Sequence, residues 1–225
     1  MRHRIQDTPL QILCEGGDDA TFFENLAKSR SLTTYHATCP QGIDGRCIGK
    51  GGFTEHLTLI RQGVPSGVPL SGVLIVADSD DDPIASFRDV QRSIRQSDLR
   101  VPDNPLQVMT NHSGTPAVAV MMVPWHDRVG NLEMVILDAL KPLYPHLVPC
   151  LESFRDCARA EDRTPSLQAK MLLRCLISIL NPIDPSLALT WFLKRPIEIC
   201  ALDYNCDALS PYAHFLTQFS RQLLP

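Results

Sequence analysis

Short apolar runs alternate with segments of helical periodicity between Leu10 and Leu140. The runs at residues 10–14, 73–76 and 117–123 contain almost no polar residue, which is typical of strands buried on both faces of a parallel sheet. A fourth strand, richer in Thr, is predicted at residues 32–38. Helical spacing of apolar residues follows each run. The first predicted helix has Phe22, Phe23, Leu26 and Ala27 on one face, and further helices are predicted near residues 53–62, 83–96 and 132–140. The pattern predicts an α/β fold over residues 1–141, with a mostly parallel sheet of four or slightly more strands flanked by helices.

The pattern changes after Pro142, where no further strand is predicted. Pro165, Pro185 and Pro211 each follow a Thr, Asp or Ser, a combination that favours the start of a helix. The first of these helices is predicted to run to Leu180 and the second to about Lys194. We therefore expect residues 142–225 to form a helical extension that packs on the α/β domain.

Four carboxylates follow the apolar run of residues 73–76, at Asp78, Asp80, Asp81 and Asp82. They lie at the carboxyl end of a predicted strand, where open α/β sheets bind ligands. Asp82 precedes Pro83, so a helix N-cap is at least as good an interpretation of this residue as metal contact. Asp78 and Asp80 have no such structural role, which makes them candidate ligands of a cation. No role is assigned to Asp81.

Two glutamates also follow or lie near strand ends. Glu15 comes directly after the first strand and before a glycine turn, where no helix terminus requires it, whereas Asp18 or Asp19 is expected to cap the next helix. Glu133 lies in the first turn of a predicted helix, so a favourable interaction with the helix dipole is an alternative to a catalytic role. Because parallel strands bring their carboxyl ends to one edge, Glu15, the Asp78/Asp80 pair and Glu133 are predicted to share a site.

A glycine-rich loop extends from Gln41 to Gly52 and presents backbone amides and Lys50 to an anion. The loop does not match the phosphate-binding loop of nucleotide hydrolases. Three residues rather than four separate Gly45 from Gly49, and Lys50 is followed by Gly51 instead of Ser or Thr. Nucleotide binding through residues 42–52 is therefore a minor hypothesis.

The net charge of −4 argues against a protein that holds nucleic acid by bulk electrostatics. The eight cysteines form no Cys-x-x-Cys pair, and no secretion signal precedes them. We therefore expect reduced thiols, a cytoplasmic location and no membrane segment. The sequence also contains no zinc-hydrolase or deaminase motif and no Gly-x-Ser-x-Gly turn.

The sequence resembles the Toprim domain of topoisomerases, bacterial primases, small maturation ribonucleases and overcoming-lysogenization-defect nucleases. The resemblance is carried by Leu13-Cys14-Glu15-Gly16 as the glutamate motif and by Asp78-Ser79-Asp80 as the Asp-x-Asp motif. The segment Glu15-Gly16-Gly17-Asp18-Asp19, with Val123-Pro124 and Gly130-Asn131-Leu132-Glu133 downstream, is most similar to small stand-alone Toprim-like proteins. The resemblance to Toprim domains covers residues 10–140.

This resemblance implies one or two Mg²⁺ or Mn²⁺ ions held by Asp78, Asp80 and Glu15, with Glu133 as a further ligand. Glu15 is alternatively a general acid or base. Lys50 is expected to contact a phosphate during catalysis. Gly16, Gly51 and His126 are the candidates for substrate binding, and a surface loop histidine is the alternative interpretation of His126.

The sequence lacks parts that several members of this family need, which reduces the number of candidate functions. No tyrosine cleavage module, primase zinc ribbon or ATPase half occurs in the sequence. The leading hypothesis is a metal-dependent phosphotransfer enzyme, in particular a nuclease that acts on RNA or DNA. The alternative is a catalytically silent Toprim-like module that binds a partner protein or a nucleotide. The sequence does not decide whether the chain binds a partner protein or forms a homo-oligomer.

Overall fold

A computed structural model of the chain describes residues 8–63, 69–110, 114–195 and 202–224. Its centre is a four-stranded sheet in the order β2-β1-β3-β4, with every neighbouring pair parallel. The strands are β1 (Leu10–Cys14), β2 (Tyr35–Thr38), β3 (Gly72–Asp78) and β4 (Ala117–Val123). The predicted α/β class, with a parallel sheet flanked by helices and a helical C-terminal region, is confirmed.

Eight α-helices occur in the described residues. They are α1 (Gly17–Ser29), α2 (Phe53–Arg61), α3 (Pro83–Gln96), α4 (Leu132–Leu140), α5 (Val148–Cys157), α6 (Pro165–Leu180), α7 (Leu189–Leu193) and α8 (Ser210–Leu223). Six of them were predicted at these positions. Helix α5 was missed because Leu151 is its only buried residue, so its sequence has no clear apolar face. Helix α7 begins later than predicted.

The sheet separates two apolar layers, because successive side chains of a strand point to opposite faces. Leu10, Ile12 and Cys14 of β1 belong to the larger layer, which includes residues of α1, α4 and α6–α8. Leu13 belongs to the smaller layer, which is formed mainly with α2 and α3. Both faces of the sheet are covered, as the uninterrupted apolar runs predicted.

The C-terminal helices contribute to the larger apolar layer. Leu173, Phe192 and Phe219 belong to the same buried cluster as Leu74 and Ala119 of the sheet. In addition, the hydroxyl of Tyr35 donates a hydrogen bond to the carbonyl oxygen of Leu216, at 2.6 Å. Helices from both sides of residue 141 thus share one core, and the division into two domains at that residue stays a prediction.

One disulfide bond corrects the expectation that the cysteines are reduced. Cys39 and Cys47 are bonded, with their Cα atoms 5.7 Å apart. The loop between them folds back on itself through an antiparallel bridge of Gln41 with Cys47, which brings the two cysteines within disulfide range. The other described cysteines are free, at positions 14, 150, 157, 175 and 206. Cys200 lies outside the described residues.

Among the helices of the described residues, none combines the length and the apolar character that a membrane span requires.

Candidate functional site

A cavity of about 300 Å³ lies at the carboxyl edge of the sheet. The first turn of α1, the end of β3 and the first turn of α4 form much of its wall, and single residues of α6 and α7 complete it. Its acidic lining residues are Glu15, Asp18, Asp19, Asp78 and Glu133, and the remaining ones are Gly16, Gly17, Cys47, Gly49, Leu132, Lys170 and Leu189. The cavity is therefore predominantly acidic.

The pairing of β1 with β3 brings Glu15 and Asp78 together. Cys14 lies opposite Val76 in the parallel register, so the two strands end side by side. The backbone N–H of Asp78 donates a hydrogen bond to Oε1 of Glu15, at 2.7 Å. Residues separated by more than sixty positions in the sequence thus share the edge that the strand pattern predicted.

Helix α4 adds the second group of contacts. The backbone N–H of Leu132 donates to Oδ1 of Asp78, at 3.1 Å, so the carboxylate lies at the positive end of this helix. Glu133, the next residue, lines the cavity. The structure therefore brings Glu133 to the same cavity as Glu15 and Asp78, while its favourable position in the first turn of the helix still applies.

Asp19 is a site residue that sequence reasoning missed. Its Oδ2 accepts a hydrogen bond from the backbone N–H of Gly16, at 3.1 Å, which agrees with the predicted role at the helix terminus. The same carboxyl group lines the acidic cavity. The sequence contained one signal for this site residue. The first turn of α1 follows Glu15 directly, so an acid in that turn lies close to the end of β1.

Burial is the main cause of raised pKa values among these acids. The pKa of Asp19 is raised to about 7, first by burial and then by the nearby charges of Glu15 and Glu133. The pKa of Asp78 is raised well above its usual value, first by burial and then by the charges of Asp19 and Glu15. Burial also raises the pKa of Glu15 and of Glu133. Carboxylates crowded in this way favour either a proton or a bound cation.

Lys50 lies between two of the predicted acids. Its ammonium group is 3.2 Å from Oε1 of Glu15 and 2.5 Å from Oδ2 of Asp80, and it also donates to the carbonyl oxygen of Asp78, at 2.9 Å. A short 3₁₀ helix at Gly49–Gly52 places it there. Lys50 thus serves as an internal counter-ion, and its predicted contact with a phosphate stays a prediction.

Asp80 is separated from the cavity acids by its backbone conformation. Its φ of 51° is in the left-handed region, and its backbone pairs with Gly130 through hydrogen bonds of 2.8 and 2.7 Å. The carboxylate contacts Lys50 and does not line the cavity. Of the two acids of the Asp-x-Asp motif, Asp78 therefore lines the cavity and Asp80 does not.

The remaining predicted residues are divided between the cavity and the surface. Gly16 lines the cavity, whereas Gly51 and His126 are exposed and do not. The His126 ring lies 5.7 Å from that of Trp125. Asp82 caps α3, since its carboxylate accepts a hydrogen bond from the N–H of Ala85 at 2.9 Å, as predicted.

The donor chemistry of the cavity fits a hard divalent cation, because Mg²⁺ and Mn²⁺ prefer carboxylate oxygens. The raised pKa values of Asp78, Asp19 and Glu133 agree with this, since a bound cation would relieve their repulsion. No group of three or more His, Cys, Asp or Glu residues in the described ranges is arranged to hold a metal as it stands.

The fold and the site define a class: an α/β protein with acidic residues of several elements gathered at the carboxyl edge of a parallel sheet. Within that class the chain belongs to the family described as "Protein of unknown function (DUF3226)", whose family model matches residues 9–219. The match extends on both sides of residue 141 and so includes the C-terminal helices. No curated protein and no solved structure matches the chain.

Proposed function

We propose that this protein is a divalent-metal-dependent phosphotransfer enzyme, in particular a nuclease that cleaves phosphodiester bonds of RNA or DNA. The observation that carries the proposal is the shared cavity of Glu15, Asp19, Asp78 and Glu133 at the carboxyl edge of the sheet. A relationship to Toprim domains is part of the same proposal. It is supported by the glutamate and Asp-x-Asp motifs and by the parallel sheet that places Glu15 beside Asp78.

Asp78, Glu133 and Asp19 are the residues that would hold Mg²⁺ or Mn²⁺. When bound, such ions supply Lewis acidity to a phosphodiester and stabilise its attacking and leaving oxygens. The helix contact from the N–H of Leu132 fixes one oxygen of Asp78. The side chains of Asp19, on α1, and of Glu133, on α4, line the same cavity, so the ligand set combines α1, β3 and α4.

Glu15 is the residue we assign to proton transfer. Its Oε1 is held by the N–H of Asp78 and by Lys50, which fixes the orientation of the carboxyl group. Burial raises its pKa, and the neighbouring Lys50 opposes the rise. A carboxyl group with a raised pKa is better suited to proton transfer than an ordinary glutamate. Glu15 would take the proton of an attacking water or give one to the leaving oxygen. Gly16 lines the cavity beside it, where only backbone would face a substrate.

A nuclease assay with matched variants tests the proposal. Purified protein is incubated with Mn²⁺ and single-stranded DNA, plasmid DNA or RNA, and the products are separated by electrophoresis. Cleavage is expected for the natural protein and for Asp82→Asn, because Asp82 caps α3 outside the cavity and Asn is an equally good cap. Asp78→Asn and Glu133→Gln are expected to lose cleavage.

The second candidate is a silent Toprim-like module that binds a partner. The position of Lys50 favours it, because its ammonium group already pairs with Glu15 and Asp80. The same assay separates the two candidates. No cleavage of any substrate, together with no Mn²⁺ binding in calorimetry, would support the module and contradict the enzyme.

A cytoplasmic location is also part of the proposal. Five of the described cysteines are free, which is usual in a reducing compartment. A disulfide bond such as Cys39–Cys47 is unusual in such a compartment. Alkylation of intact cells followed by mass spectrometry would show which state the pair has in its native compartment.

A further inference from the structure

Lys170 of α6 lines the acidic cavity, although it belongs to the C-terminal helical region. Helix α6 is held against the start of α4 by a buried hydrogen bond, from Nδ2 of Asn131 to the carbonyl oxygen of Ser166, at 3.1 Å. Lys170 lies one turn beyond Ser166, on the same face of the helix. The contact that fixes α6 therefore also places Lys170 at the wall of the cavity that Glu133 lines.

The cavity would repel a phosphate group without a cation at its mouth. Five carboxyl groups line it, and Lys170 is the one basic residue among its lining residues. Like charges at contact distance repel by about 1 kcal/mol in water and by several-fold more where water is excluded. A positive side chain among the lining residues would therefore favour the entry of a substrate anion.

Lys50 is not available for this role in the present structure. An ammonium group has three hydrogens, and Lys50 already contacts Glu15, Asp80 and the carbonyl oxygen of Asp78. Lys170, in contrast, is exposed and makes no ion pair with any described residue. Its charge is nevertheless felt in the cavity, since it lowers the pKa of Glu133 against the larger, opposite effect of burial.

Arg174 lies one turn further along α6, but it is oriented differently. Its Nη1 donates to the carbonyl oxygen of Leu187, at 3.5 Å, which ties it to the segment before α7. Lys170 is therefore the side chain on α6 that combines a position in the cavity wall with free hydrogen-bond donors.

We propose that Lys170 binds a phosphate oxygen of the substrate at the mouth of the acidic cavity. This inference rests on the proposed function, because it names the protein group that admits a phosphate ester to the same site. It also gives the C-terminal helices a part in substrate binding. The role is one of substrate binding and positioning, and Lys170 is given no part in proton transfer.

The proposal predicts opposite changes in two affinities, one for phosphate and one for Mn²⁺. Removal of the Lys170 charge should weaken phosphate binding, because a charge-assisted hydrogen bond is lost, by about tenfold. It should also strengthen Mn²⁺ binding, by about twofold to fivefold, because a positive charge beside Glu133 no longer opposes the cation. A residue that only supports the fold would weaken both.

The experiment measures both affinities on the full-length chain. A fluorescein-labelled single-stranded DNA is titrated in Ca²⁺ buffer by fluorescence anisotropy, and Mn²⁺ is titrated without nucleic acid by calorimetry. A second arm replaces the DNA by ATP, to separate a phosphodiester from a nucleotide phosphate. In Lys170→Gln the DNA affinity is expected to fall, and the slope of log K against log salt to lose about 0.7.

Two control variants accompany the measurement. Lys170→Arg keeps the charge and should retain DNA binding close to that of the natural protein. Lys28→Gln removes an equally exposed lysine near the other end of α1, where it pairs with Glu24 at 3.1 Å, and should leave both affinities unchanged.

The outcomes separate this inference from the proposed function. Weaker DNA or ATP binding with tighter Mn²⁺ binding in Lys170→Gln supports the inference, even if no substrate is cleaved. Equal DNA and ATP affinities in Lys170→Gln and the natural protein overturn it, even if the natural protein is an active nuclease. Absence of DNA and ATP binding by the natural protein also overturns it.

Discussion

The ammonium group of Lys50 lies 3.2 Å from the carboxylate of Glu15, and it reaches this position from a glycine-rich turn that follows β2. The side chains are both mostly shielded from water, at 22% and 21% exposure. The same ammonium group contacts Asp80. A single lysine therefore contacts both the glutamate motif and the second acid of the Asp-x-Asp motif.

Replacement of Lys50 by Met should destabilise the protein. Glu15 and Asp80 would lose their counter-ion, and Asp80 is half exposed, so the expected loss of unfolding free energy is about 1 to 3 kcal/mol. Chemical denaturation measures this loss. Lys28→Met removes an exposed helix pair and should cost less than about 0.5 kcal/mol. An equal effect of the two substitutions would contradict the role of Lys50 as an internal counter-ion.

Mn²⁺ should stabilise the protein against heat through the cavity carboxylates. A ligand that binds only the folded state contributes about 2.7 kcal/mol when its concentration is a hundred times its Kd. Asp78→Asn should lose this stabilisation, whereas Asp82→Asn should keep it, because Asp82 lies at the start of α3 outside the cavity. Differential scanning fluorimetry with and without Mn²⁺ gives both shifts. The assignment of Asp78 would be wrong if its variant kept the full shift.

Because of Asp19, the metal-free protein should be more stable at mildly acidic pH than at mildly alkaline pH. Its pKa is about 7 in the folded protein against an ordinary value of 3.8, so the folded state binds the proton more tightly than the unfolded state does. The stabilisation is complete below the ordinary pKa and is lost as the pH rises through about 7. Between about pH 6 and about pH 8 the expected loss is about 1 kcal/mol.

Melting temperatures in buffer with a chelator measure this dependence. Asp19→Asn cannot titrate and should flatten the pH profile over the same interval. A profile of unchanged slope in Asp19→Asn would assign the effect to other groups.

The Cys39–Cys47 bond should stabilise the fold by restricting the unfolded chain. The two cysteines are eight positions apart, and closing so short a loop is worth about 2 to 3 kcal/mol in the chain-entropy account. The double substitution Cys39→Ser with Cys47→Ser should lower the free energy of unfolding by that amount. Cys150→Ser, at an exposed free cysteine, is the control and should have almost no effect. Equal stability of the double variant and the control would mean that the bond is absent in solution.

The sequence determined the parallel α/β class and the end of the sheet at which the acids lie. Uninterrupted apolar runs such as residues 117–123 require burial on both faces, and helices between parallel strands supply the cover. Glu15 and Asp78 directly follow or end such runs, so their position at the carboxyl edge depends only on local pattern and strand direction. These features were predictable because short-range periodicity controls them.

Only the tertiary structure decided which side chains meet at that edge. Asp19 and Lys170 enter the cavity because α1 turns back at Gly16 and α6 packs on α4, and Lys50 reaches Glu15 because its loop crosses the edge. Asp80 lies only two positions after Asp78 but does not line the cavity. Its backbone has a left-handed conformation and forms a bridge with Gly130. Such contacts depend on the packing of distant segments, which local hydrophobic pattern does not specify.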